Sequence, residues 1–261
     1  MSIKGAVLGD ILGSQYEYKR PKNLDWQNIP LIIEGKAKFT DDSVMMLAIK
    51  KALIQEADLV ETMVEVGQKY PFCGYGSKFF WWINGQDHEP YNSWGNGSAM
   101  RVAFVGEFYE DHEEMQAMAA KTAEVSHNHP EGIKGAVVTA TCIWMAKHGK
   151  SKQEIYDYVL SEYPPEEYEY SIGYSLDEIR PRYKWNESCQ GSVPVAMRCF
   201  YESSNYESFI RNIYSLLCDS DTFGAIAGSV AEEFYHGFGD IDADGILKNH
   251  LTEDLYEILV M

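Results

Sequence analysis

Glycine stands at every fourth position of the first apolar stretch, at Gly5, Gly9 and Gly13 within Ser2–Tyr18. The stretch otherwise reads as a helix, with Val7, Leu8, Ile11 and Leu12 forming an apolar stripe. Each glycine weakens such a helix by about 1 kcal/mol relative to alanine, so something must need the close approach that they allow. A second slim helix lies far downstream. In Cys218–Gly237, Phe223, Ile226, Ala227, Val230 and Phe234 recur at helical spacing, and Gly224, Ala225 and Gly228 keep the cylinder narrow.

Oxygen donors gather beside these helices. Asp219, Asp221 and Thr222 open the downstream one. Asp10 and Glu17 are seven residues apart and are expected near one face of the first helix. Asp10 sits between apolar neighbours, which strains a reading as a solvated surface acid. A matching cluster, Thr40-Asp41-Asp42-Ser43, precedes the predicted helix Val44–Ile54. Two readings are open at each cluster. The hydroxyl or first carboxylate caps the helix and the other acids complement its dipole. Alternatively, the hard oxygens hold a divalent cation of the magnesium or manganese kind. Carboxylates crowded together raise one another's pKa, and a bound cation relieves that repulsion.

Further helices are predicted over Ala57–Gln68, Glu113–Val125, Gly132–Met145, Lys152–Leu160, Ser192–Glu202 and Tyr206–Leu217, with a helical tail over Ile241–Met261. No convincing set of alternating strands appears, so the predicted fold class is all-α. Residues 1–261 show no linker or repeat and are expected to form a single domain. The aromatic-rich Tyr70–Tyr91 reads as core. Tyr163–Gln190 carries Pro164, Pro165 and Pro181 with little periodicity, and reads as an irregular excursion over a pocket mouth.

Two loops carry binding chemistry. Ser93-Trp94-Gly95-Asn96-Gly97-Ser98 is either a simple Asn-Gly turn or a cradle whose free backbone amides hold an anion. Arg101, just beyond, serves an anion or pairs with a surface acid. His127 and His129 lack the one-turn spacing of a zinc helix, so one histidine pointing into a pocket is expected rather than a zinc site.

A formal charge of −18 argues against nucleic-acid and anionic-membrane partners. The five cysteines are scattered, odd in number and without a CxxC, as expected of reduced thiols in a cytoplasmic protein. Neither a signal peptide nor a membrane-spanning run is recognisable.

Five segments in order resemble the ADP-ribosylglycohydrolase family: Gly5–Glu17, Phe39–Ser43, Gly95–Ala103, Ser126–Ala136 and Cys218–Gly237. Ser43 stands where the family commonly has threonine, which still leaves a hydroxyl. The sequence is silent on oligomeric state, and a monomer is the expectation. The resemblance implies a compact orthogonal helical bundle with two Mg²⁺ or Mn²⁺ ions at the base of a cleft. It implies Glu17, Thr40, Asp41, Asp42, Asp219, Asp221 and Thr222 as metal ligands, and catalytic roles for Glu17, Asp41, Asp42 and Asp219. It places the diphosphate of ADP-ribose against Ser93, Gly95, Gly97 and Ser98, with Asn96 and His127 lining the pocket and Trp94 toward the adenine. The implied reaction is hydrolysis of the bond between ADP-ribose and a modified protein side chain. A free conjugate such as O-acetyl-ADP-ribose, or binding without turnover, are the alternatives.

Overall fold

The computed structural model describes residues 2–18, 20–21 and 24–261. Among them fifteen helices follow one another and no strand occurs, as the periodicity predicted. In chain order they are α1 (Lys4–Gly13), α2 (Asp41–Ile54), α3 (Leu59–Lys69), α4 (Ser77–Asn84), α5 (Gly97–Met100), α6 (Ala103–Phe108), α7 (His112–Glu124) and α8 (Pro130–Lys147). There follow α9 (Lys152–Glu162), α10 (Leu176–Ile179), α11 (Cys189–Tyr201), α12 (Tyr206–Tyr214), α13 (Ser220–Tyr235), α14 (Ala243–His250) and α15 (Glu253–Val260).

The two glycine-laced helices pack against each other. A Cβ placed on Gly5 would lie 2.4 Å from the Gly228 carbonyl oxygen, one on Gly9 2.2 Å from that of Gly224, and one on Gly13 2.2 Å from that of Ser220. The order of these contacts makes α1 and α13 antiparallel, touching backbone to backbone. The end of α1 therefore lies beside the start of α13. The same contact is locked by the Ser220 hydroxyl, which donates to the Gly13 carbonyl at 2.7 Å. Residues 5–13 and 220–232 are buried throughout, so this pair forms the axis of the core. Helices α8 and α11 cover α13, and α12 packs on both members of the pair, the hydroxyls of Tyr206 and Tyr214 donating to the carbonyls of Gly5 and Leu12 on α1.

Three predicted elements are corrected. The first helix ends at Gly13, not at Tyr18, so Glu17 sits in the turn that follows and shares no helical face with Asp10. The closing tail is two helices, because Leu251 and Thr252 adopt extended backbone between them. The irregular excursion contains one helical turn, α10, started by a capping box at Ser175 and Glu178.

One buried acid gives a stability prediction. Glu107 on α6 is 1% exposed and its Oε1 has no partner. Burial, with Glu233 and Glu232 adding to it, pushes its carboxyl up to about 9. A raised carboxyl binds more protons folded than unfolded, so stability falls as pH rises from about 4.5 toward 9. Glu107→Gln is expected to raise the melting temperature at pH 8 by roughly 3 °C or more and to change it little at pH 4. Thermal denaturation of both proteins across that range checks this.

Candidate active site

The α1–α13 contact delivers Glu17 to the start of α13. There, carboxylate oxygens of Glu17, Asp219 and Asp221 all lie within 4.8 Å of one another. They form part of the wall of a cavity of about 500 Å³. Asp41, Asp42 and Thr222 line the same cavity. Asp41 and Asp42 stand outside the mutual 4.8 Å grouping.

Asp10 organises the second cluster. Fully buried, it accepts from the backbone amides of Thr40 and Ser43 at 3.0 and 3.1 Å, and from both their hydroxyls, Thr40 at 2.8 Å. It thereby pins the start of α2 to α1. Thr40 caps α2 by accepting from the Asp42 amide. It faces Asp10 and is not in the cavity wall. The Asp41 amide donates to the Cys73 carbonyl at 3.1 Å. Its carboxylate passes 3.0 Å from where a Cβ on Gly74 would be, and Gly74 has φ +116°. Only glycine satisfies both conditions there.

Capping therefore explains α2 in part and α13 not at all. Asp219 occupies the N-cap of α13 yet makes no capping bond. Its Oδ2 accepts from Asn96 Nδ2 at 2.8 Å instead. Oδ1 of Asp42 and Oδ1 of Asp221 are buried with no hydrogen-bond partner. Burial is the main cause that raises every one of these carboxyls. It pushes Glu17 up to about 7. Asp41, Asp42 and Asp221 lie well above the ordinary range, and neighbouring acids add to the effect. Orphaned buried oxygens among crowded carboxyls fit a cation, and an all-oxygen donor set suits Mg²⁺ or Mn²⁺.

Ser93, Gly95, Asn96, Gly97 and His127 also line the cavity. The His127 Nε2 lies 3.0 Å from where a Cβ on Gly97 would be, so a side chain there would push into the ring. Burial and nearby Arg101 hold His127 well below its ordinary pKa, hence neutral. Its Nδ1 pairs with the Ser126 hydroxyl at 2.8 Å. Ser98 faces away and donates to the Gly132 carbonyl at 2.7 Å. Trp94 is 50% exposed, stands 5.3 Å from the His129 ring and does not line the cavity. Phe79, Tyr75 and Tyr91 supply the aromatic wall instead.

Of its two sequence readings, Arg101 departs from the pairing with a surface acid. It is fully buried, donates to the Thr122 carbonyl and the Ser126 hydroxyl, and lies 5.5 Å from the Phe79 ring centre. Its Nε and Nη1 have no partner, and burial lowers it to about 10. It lines the cavity and, with Lys78, brings positive charge to a site otherwise dominated by acids.

The family model for ADP-ribosylglycohydrolase matches residues 2–256. The chain belongs to the ADP-ribosylglycohydrolase family. Among curated relatives, ADP-ribosylhydrolase ARH3 of Mus musculus is 26% identical, across 89% of this chain and 82% of its own length. The Homo sapiens ARH3 is likewise 26% identical, across 89% of this chain and 84% of its own. A solved structure titled ADP-ribosylglycohydrolase-related protein complex superposes with a TM-score of 0.74 at 21% identity, covering 99% of this chain and 94% of that one. That likeness bears out the all-α fold.

Tyr75, Phe79 and Glu187 were not singled out as site residues from the sequence. Asp10 was, as an acid among apolar neighbours, but not as the anchor of α2.

Proposed function

We propose that this chain hydrolyses the glycosidic bond between ADP-ribose and a modified protein side chain, with bound divalent cations. The observation that carries the reading is the Glu17–Asp219–Asp221 grouping beside orphaned oxygens in a cavity large enough for a nucleotide-sized ligand. Glu17, Asp41, Asp42, Asp219, Asp221 and Thr222 would hold the ions, with Thr40 in support. When bound, such ions chelate ribose hydroxyls and lower the pKa of an attacking water.

The chain's own groups do the rest. Asn96 fixes Asp219 by one oxygen, leaving the other free for the cation or the substrate. Asp10 holds Asp41 and Asp42 at the cavity edge by fixing the backbone of Thr40 and Ser43. The Ser93–Gly97 wall, with neutral His127 and cationic Arg101 and Lys78, suits a diphosphate, which needs donors and positive charge. Carboxylates facing the ribose would stabilise an oxocarbenium-like transition state and accept the water's proton.

Chelation tests the reading. EDTA treatment is expected to abolish release of ADP-ribose from a modified protein, and Mg²⁺ or Mn²⁺ to restore it. The metal at about 100 times its dissociation constant should also raise the melting temperature by roughly 5 °C or more. Full turnover after chelation would overturn the cation-based mechanism. Turnover of small conjugates only, or tight ADP-ribose binding without turnover, would replace the substrate or the activity respectively.

A further inference from the structure

The turn that follows α1, Ser14–Tyr18, has a cavity on either side. Glu17 and Tyr18 line the cavity described above and also a second one, of about 620 Å³. The turn is laced to residues 31–38. Gln15, 6% exposed, donates through Nε2 to the Leu31 carbonyl at 2.6 Å and accepts at Oε1 from the Ile33 amide at 2.8 Å. The Ser14 hydroxyl accepts from the Lys38 amide at 3.0 Å. Tyr16, Pro21, Leu24, Ile29, Pro30 and Ile33 give the second cavity an apolar, mostly aliphatic lining. Lys36 and Lys38, both exposed, line it too. Among the described residues neither has an acid within ion-pairing distance. Glu17 is the one acid among the described residues of the lining, and its carboxylate is engaged on the other side, within 4.8 Å of those of Asp219 and Asp221. The chain carries a formal charge of −18, yet the charges left uncommitted at this cavity are both positive. An aliphatic chamber of this size beside two ammonium groups suits a small amphipathic anion.

We propose that the second cavity is a binding site for a medium-chain aliphatic carboxylate, and that its occupancy and cation binding in the first cavity favour each other through Glu17. The aliphatic chain packs against Leu24, Ile29 and Ile33, and the carboxylate meets Lys36 and Lys38. A ligand seated there fills the space behind the turn and braces Glu17 where its carboxylate faces Asp219 and Asp221. A cation held by that carboxylate braces the same turn from the other side, so each occupant tightens the other. The coupling rests on the cation-holding role proposed above for Glu17; the site stands without it.

Titration calorimetry of the full chain with octanoate tests the site. Octanoate should bind, and hexanoate roughly tenfold more weakly for want of two buried methylenes. Octanol should bind about fivefold more weakly than octanoate, the strength of a pair of exposed ion contacts. A double variant, Lys36→Gln with Lys38→Gln, should bring octanoate down to the affinity of octanol and leave octanol unchanged. A diazirine-bearing octanoic acid, activated by light, should label residues 14–38. No binding of octanoate, equal affinity for octanol, or labelling elsewhere in the chain overturns the site. The coupling is read in the same calorimeter. Saturating Mg²⁺ should tighten octanoate about fivefold, the low end of ordinary coupling between sites, and Glu17→Gln should erase that gain. Mg²⁺ that binds without changing the octanoate affinity overturns the coupling. Octanoate binding with no Mg²⁺ binding at all keeps the site and overturns the cation reading instead.

Discussion

Asp221→Asn is expected to lower kcat/KM for release of ADP-ribose by about 10³-fold while raising the melting temperature of the metal-free protein. Both effects have one cause. Asp221 is 3% exposed, its Oδ1 has no partner, and Asp219, Asp42 and Glu17 all press negative charge on it. The neutral amide removes that repulsion, so the fold gains when no cation is present. The same amide is a poor ligand for a hard cation, so the site loses the group that would hold it, and losses of this order follow when electrostatic stabilisation of a transition state is removed. Kinetics and thermal denaturation in EDTA and in Mg²⁺ check both halves. Activity within tenfold of wild type, or a lower metal-free melting temperature, would falsify the assignment of Asp221 to the site.

Gly9→Ala should have the largest effect on stability. Alanine is the better helix former by about 1 kcal/mol, so on local grounds the change should help. Its Cβ would lie 2.2 Å from the Gly224 carbonyl oxygen and 2.4 Å from the carbonyl carbon. Backbone cannot swing aside as a side chain does, so α1 and α13 must separate. Overpacking of this kind costs roughly 3 kcal/mol or more net, which lowers the melting temperature by about 6–12 °C in a chain of this size. Activity should fall as well, because the same contact sets Glu17 beside Asp219 and Asp221. Gly76→Ala is the control for stability, since nothing lies within 4 Å of the Cβ it adds. Calorimetry of both variants separates the two expectations. Equal melting temperatures would show that α1 and α13 tolerate a side chain between them.

Much of this architecture was readable in the chain. Apolar residues at helical spacing located most of the helices, and the glycine repeat demanded a close backbone neighbour before any neighbour was known. The oxygen-rich starts of α2 and α13 marked both acidic clusters. Motifs of this kind are local, and helical periodicity repeats over three or four residues, so sequence displays them directly.

Distance between remote residues is another matter. The sequence put Glu17 on the first helix with Asp10. The fold ends that helix at Gly13 and separates their roles, Asp10 turning inward to order α2 and Glu17 turning toward the cavity. Trp94 belongs to a loop motif, yet its ring faces His129, while Phe79 and Tyr91, from the aromatic stretch read as core, wall the cavity.

What the sequence determined by itself was the all-α class, the slim helices and the kinds of atoms gathered at their ends, because each is encoded within a few neighbouring residues. Only the tertiary structure decided which carboxylates meet, which one serves as scaffold, and that the turn carrying Glu17 and Tyr18 parts two cavities. Those outcomes depend on how helices some 200 residues apart in the chain slide and rotate against each other, and that is fixed by packing across the whole core.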